Sequence, residues 1–92
     1  MVEITNVEDC FKFRLLIKIK PNLEKCKKSL EIAKERLKEA KIGLDKEIFK
    51  YTISESYLAM FHASRALLYK DGIQEKSHYA IYIYLKERYS NK

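Results

Sequence analysis

From Leu23 onward, apolar residues recur at alternating steps of three and four: Leu23, Cys26, Leu30, Ala33, Leu37, Ala40 and Leu44. Only an α-helix gathers such a series onto one stripe, because 3.6 residues make a turn. A strand would scatter the same residues over both faces. The series therefore commits the chain to one long helix with an apolar edge to cover. Asn22 can cap its start. Gly43 is the natural stop, with Leu44 just beyond it and folding inward. Glu24–Lys28, Lys27–Glu31, Glu31–Lys34 and Glu35–Lys38 are spaced to pair on the outer face.

The rest of the chain is read around that helix. Asp45 is placed to cap a further helix running to about Lys70, with Asp71-Gly72 ending it. Two long helices joined at Gly43 make an antiparallel hairpin. Ser77 can cap a last helix through about Tyr89. Its run Ala80-Ile-Tyr-Ile-Tyr-Leu85 has high β propensity, which packing should override. Near the start, Thr5-Asn-Val-Glu8 has capping-box spacing and predicts a first helix from about Asn6 to Lys18, ended by Pro21. Phe11, Phe13, Leu15, Ile17 and Ile19 also alternate as in a strand. A strand needs a partner, and none is legible, so the helix is preferred. The expected fold class is all-α: an up-and-down antiparallel bundle of about four helices in a single domain spanning residues 1–92.

Composition excludes several classes. No apolar run approaches the ~20 residues that span a bilayer, and the acidic, polar start does not resemble a signal peptide. A cytoplasmic protein without membrane contact is expected. Cys10 and Cys26 read as reduced packing residues. His62 and His78 are far apart and no Cys-x-x-Cys pair exists, so no metal and no cofactor are expected. The net charge of +6 is concentrated: Lys12, Arg14, Lys18, Lys20, Lys25, Lys27 and Lys28 face Glu24 alone between residues 12 and 28. Such a segment can attract nucleic acid or an acidic protein. Its lysines lack the interleaved aromatics of a single-strand platform, and a solvated lysine face is the plainer reading.

The helix before Gly72 divides into three stripes. Ile53, Tyr57, Met60, Phe61, Ser64, Leu67 and Leu68 read as core. Ser56, Ala59, Ala63 and Ala66 form a small-residue stripe that lets another helix approach, within the bundle or from a second copy. Glu55, Leu58, His62, Arg65 and Tyr69 form the third. Arg65 offers a fork of donors for phosphate, and His62 can move protons. The structural reading has Arg65 paired with a carboxylate at the bundle rim and His62 simply hydrogen-bonded there. His78 follows the cap Ser77 in a first turn whose free amides, with Lys76, favour an anion. It could accept a proton there, or simply pack against Tyr82. Arg65, Lys76, Ser77, His78 and His62 are thus the candidate phosphate- or nucleotide-binding residues, with His78 and Arg65 the candidates for catalysis.

The run Ser56-Tyr-Leu-Ala-Met-Phe-His-Ala-Ser-Arg-Ala-Leu-Leu-Tyr-Lys-Asp-Gly72-Ile, followed by Glu75-Lys-Ser-His78, resembles the HEPN superfamily, most closely its small prokaryotic, UPF0332-like branch. Lys28 to Lys41 is similar to that branch's second helix. The resemblance implies an all-α bundle, often a homodimer. It also implies a minimal nucleotidyltransferase partner in a two-component toxin–antitoxin or defence system. Active toxins of the superfamily are metal-independent ribonucleases with an Arg-x4–6-His motif. None of Arg14, Arg36, Arg65 and Arg88 is followed by histidine at that spacing. The family usually continues with another helix after the point where this sequence stops, Lys92. The chain is therefore read as a fragment or as a short member without catalytic residues. A non-catalytic interaction module is the leading expectation. An RNA-cleaving toxin using Arg65, Lys76 and His78 is the first alternative. A nucleotide-binding bundle, without any Gly-rich phosphate loop to support it, is the second.

Overall fold

Asn6, rather than Thr5, starts the first helix. In the computed structural model, which describes residues 3–90, the Asn6 side-chain oxygen accepts the Asp9 amide at 2.8 Å. Helix α1 spans Val7–Lys12 and stops well short of the predicted Lys18. Arg14 then takes a left-handed conformation, φ 60°, and turns the chain into strand β1, Leu16–Lys18. The alternation in this segment was thus a true strand signal over three residues. Its partner is β2, Ile73–Glu75, in the connection between the Gly72 stop and the Ser77 cap position. The strands are antiparallel, with Leu16 opposite Glu75 and Lys18 opposite Ile73. Bonds from the Ile19 amide to the Gly72 carbonyl and from the Lys76 amide to the Leu15 carbonyl, both 2.8 Å, extend the ladder.

Helix α2 spans Leu23–Asp45, with the Asn22 side chain accepting the Lys25 amide at 2.9 Å as predicted. Gly43 does not end it. A Cβ there would lie 2.6 Å from Thr52 Oγ1 and 2.9 Å from Tyr51 Cδ2, so the glycine sits where the next helix comes closest. Asp45 is the last helical residue, not a cap, and Glu47 carries the left-handed turn at φ 58°. Helix α3, Phe49–Asp71, begins without a side-chain cap and ends at Gly72, φ 77°, where a Cβ would meet the Ile19 carbonyl oxygen at 2.8 Å. Helix α4 spans His78–Tyr89; Ser77 occupies its cap position, but the hydroxyl makes no cap bond.

The α2–α3 pair is antiparallel: the Asn22 amide meets the Tyr69 carbonyl at one end, and Gly43 meets Thr52 at the other. Small residues make the seam. Ser29, Ala33, Ala40 and Gly43 on α2 are buried, as are Ala59 and Ala66 on α3. Backbones this close leave no room for leucine between them. The leucines of the α2 stripe therefore ride along the edge of the seam, Leu37 keeping 48% of its surface exposed, and Leu44 does not fold inward. The expected core face of α3 is likewise largely outside: Ile53, Tyr57 and Met60 are exposed, Met60 at 70%, whereas Leu68 is buried. The small-residue stripe found its neighbour within the chain.

The apolar core lies at the other end of the molecule. Val7 and Cys10 from α1, Leu16, Leu68 and Ile73, and Ala80, Ile81, Ile83 and Tyr84 from α4 form one cluster. No α2 side chain belongs to it. The fold is all-α, a helical hairpin joined to a head in which α1 and α4 close over the two short strands.

Candidate functional site

Tyr57, Phe61 and Arg65 stand one turn apart on α3, and His78 is the first residue of α4. The reversal through Gly72 and β2 brings the His78 ring to 4.5 Å from the Phe61 ring, tilted by 44°. The Tyr57 hydroxyl lies 2.7 Å from His78 Nδ1. When that hydroxyl donates, the ring hydrogen sits on Nε2. Together with Met60 and Tyr82 these groups line a mostly apolar, open groove of ≈ 250 Å³. His78 therefore packs on Phe61 rather than on Tyr82. Sequence reading missed Tyr57 and Phe61 because their spacing matches a core stripe.

Arg65 contacts the same phenylalanine. Its guanidinium carbon is 5.5 Å from the centroids of both Phe61 and Tyr69. Nη2 donates to the Tyr69 hydroxyl at 2.7 Å, and Nε is 3.2 Å from Glu75 Oε1, a charge contact whose angle does not make a hydrogen bond. This is the rim ion pair that the structural reading of Arg65 anticipated. Its carboxylate comes from β2. His62 sits edge-on to Phe61 at 5.4 Å. Its buried Nδ1 has no hydrogen-bond partner. Burial, then the charges of Arg65 and Arg36, hold the His62 pKa below the ordinary histidine value.

Phe61 thus joins Arg65, His62 and His78 around one ring. Lys76 does not join them: its amide completes the strand ladder to Leu15, and its side chain is exposed. Ser77 keeps its hydroxyl out of the helix cap. The cluster holds a phenol and an imidazole at hydrogen-bond distance in an accessible groove. Its arginine already meets a carboxylate.

The basic segment also gains aromatic neighbours. Lys12 Nζ lies over Phe13, Lys18 over Phe11 and Lys25 over Tyr69, at 5.8, 5.7 and 5.6 Å. The reading of these lysines as lacking interleaved aromatics is corrected. A second groove, ≈ 350 Å³, includes Phe11, Lys18, Asp71, Tyr84 and Arg88. Among the described residues no three His, Cys, Asp or Glu side chains gather as metal ligands. Both described cysteines are free, Cys10 buried and Cys26 half-buried. Among the described residues no helix is long and apolar enough to cross a membrane.

The family model for the HEPN domain matches residues 26–91, from the first turn of α2 to just beyond α4. The chain belongs to the HEPN family. A Methanocaldococcus jannaschii protein named as a candidate toxin is 35% identical over 49 residues, covering 53% of this chain and 37% of its own. A UPF0332 protein of Pyrococcus horikoshii is 36% identical over 55 residues, 60% of this chain and 39% of its own. The chain thus spans less than two fifths of the length of either relative. No solved structure matches it significantly.

Proposed function

We propose that this HEPN chain is a non-catalytic interaction module. Its partners in this reading are a second copy of itself and a minimal nucleotidyltransferase, within a two-component toxin–antitoxin or defence system of the cytoplasm. Residues 1–92 act in it as one unit. The observation that carries the reading is the engagement of Arg65. A phosphate-binding arginine needs its charge and its fork of donors free. Here Glu75 meets the charge, Tyr69 takes a donor, and the Phe61 and Tyr69 rings lie beside the guanidinium. The large exposed side chains along α2 and α3 support a role in contact with other proteins. The toxin name of one relative supports the two-component setting. Tagged protein isolated from its native source should bring down a nucleotidyltransferase. Recovery as a lone monomer would overturn the proposal.

One observation favours a second reading, a metal-independent endoribonuclease. Phe61 draws both His78 and Arg65 to a single ring. If that arrangement is catalytic, purified protein degrades RNA in the presence of a chelator, and His78→Ala abolishes the activity. Undegraded RNA at high protein concentration removes this alternative.

A further inference from the structure

The leucines that the hairpin seam leaves outside form a regular row. Leu23, Leu30, Leu37 and Leu44 recur every seven residues along α2, and all four are exposed. Seven residues return a helix almost to the same direction, so the row is nearly straight. At 1.5 Å per residue it runs for about 30 Å. Met60 of α3 forms the facing wall at mid-length. Between that wall and the leucines lies a groove of ≈ 340 Å³ floored by Ala33, Ala59 and Ala63. Leucines at heptad spacing above an alanine floor offer the holes into which the side chains of another helix fit.

The rim of this groove is positive. Lys27, Lys34 and Lys41 also recur every seven residues, each four positions after a leucine of the row. This places them beside the row on the side away from the seam. All three are exposed, and Lys34 lines the groove itself. The spacing that would pair Lys27 and Lys34 with Glu31 does not produce an ion pair. Among the described residues the ion pairs belong to Arg36, Arg65 and Arg88. The facing helix supplies no free carboxylate, since Glu55 is buried against Arg36 and Asp71 accepts two tyrosine hydroxyls. On α2 itself Glu31 is the one exposed carboxylate within a turn of both Lys27 and Lys34, so the rim keeps a net positive charge. Two copies joined along this row in antiparallel fashion would set lysine against lysine, an arrangement that like charges oppose.

We propose that the α2–α3 groove is the docking site for an acidic amphipathic helix of a partner protein. Apolar residues of that helix at heptad spacing seat between Leu30, Leu37 and Met60. Glutamates or aspartates beside them meet Lys27, Lys34 and Lys41. The inference rests on the interaction-module reading and assigns to it the surface used for a partner other than a second copy.

The test is fluorescence anisotropy of the full chain with two labelled 21-residue helical peptides. Both carry leucine at the core heptad positions; one has glutamate at the flanking positions and the other lysine. The glutamate peptide should bind at least tenfold tighter and weaken as salt rises. Leu37→Asp and Met60→Asp lie at exposed sites, so circular dichroism should report an unchanged fold while affinity falls at least tenfold. The triple variant K27E/K34E/K41E should reverse the preference toward the lysine peptide. Equal affinity for the two peptides, absence of binding, or indifference to Leu37→Asp and Met60→Asp overturns the proposal. So does sedimentation showing self-association that Leu37→Asp abolishes, since a second copy would then hold the groove. Failure of a nucleotidyltransferase to co-purify strikes the broader reading and leaves the peptide result standing. The reverse pattern moves docking to another surface.

Discussion

Arg36 Nη1 lies 3.0 Å from both carboxylate oxygens of Glu55, and the pair crosses the α2–α3 seam. The two partners are unequal. The Arg36 side chain keeps 29% of its surface exposed and the Glu55 side chain 9%. An arginine left alone can still reach water, whereas a glutamate left alone cannot. Arg36→Ala should therefore destabilise the fold by about 3 kcal/mol, the lower end of the cost of stranding a buried charge, and Glu55→Ala by less. The double replacement R36M/E55L should recover most of that loss. Urea unfolding of the three variants measures the order directly.

Gly43 tests how tightly the two helices approach. Alanine is the better helix former by up to about 1 kcal/mol. Its Cβ would nevertheless fall 2.6 Å from Thr52 Oγ1, which is itself bonded to the Ile48 carbonyl. Overpacking of this kind costs about 1–3 kcal/mol. Gly43→Ala should thus be net destabilising by about 1 kcal/mol, and adding Thr52→Ala should relieve part of it. A stabilised single variant in thermal melts would contradict the close approach.

Asp71 Oδ2 accepts the hydroxyls of Tyr84 and Tyr89, at 2.7 and 2.5 Å, and so ties the C-terminal half of α4 to the end of α3. Burial first, then the bond to Asp71, pushes the Tyr84 pKa well above the ordinary phenol value. For Tyr89 the bond to Asp71 comes first, then burial. Folded-state values raised above the unfolded ones give stability that is fully present below about pH 10 and lost as pH rises through them. Asp71→Ala should cost about 1–3 kcal/mol at neutral pH, because it strands the buried Tyr84 hydroxyl. Absorbance titration should show Tyr89 ionising nearer its ordinary pH in that variant, while Tyr84 stays raised by burial.

His62 should make the fold acid-sensitive. Its folded-state pKa is lowered, chiefly by burial and then by Arg65 and Arg36. The unfolded chain therefore takes up the proton first as pH falls through about 6.5. Stability contributed above that pH is lost below it. His62→Gln should narrow the difference in unfolding free energy between pH 7.5 and pH 5.5. An unchanged difference would show that His62 is solvated in both states.

How much of this was legible from residues alone depended on how local each signal was. The Asn22 cap, the Gly72 stop and the extent of α4 are written within a few positions, and they could be read. The strand at Leu16–Lys18 could not be assigned, because its partner lies over fifty residues away in a segment rich in turn signals. The apolar stripes of α2 and α3 were found and the two helices pair as expected, but the large residues were placed in a contact that alanines occupy. Periodicity marks which residues share a face, but not whether alanine or leucine sits at the centre of the contact. At the site, Arg65 and His78 stood out by chemistry. Phe61, the ring that joins them, was hidden because aromatic residues at helical spacing look like core. Glu75 was invisible as a partner until β2 placed it.

The two-stranded ladder has one more implication. The family match begins at residue 26, yet Val7, Cys10 and Leu16 are among the most deeply buried side chains of the head. What evolution marks as the domain and what the polypeptide needs in order to close are different lengths of chain. A protein trimmed to start at residue 26 would lose the β1 half of the ladder and bare one side of Leu68, Ile73 and Ala80. Recognition by family and independence as a folding unit part company at the N-terminal segment. Boundaries drawn from relatives alone would discard part of what keeps α4, and with it His78, in place.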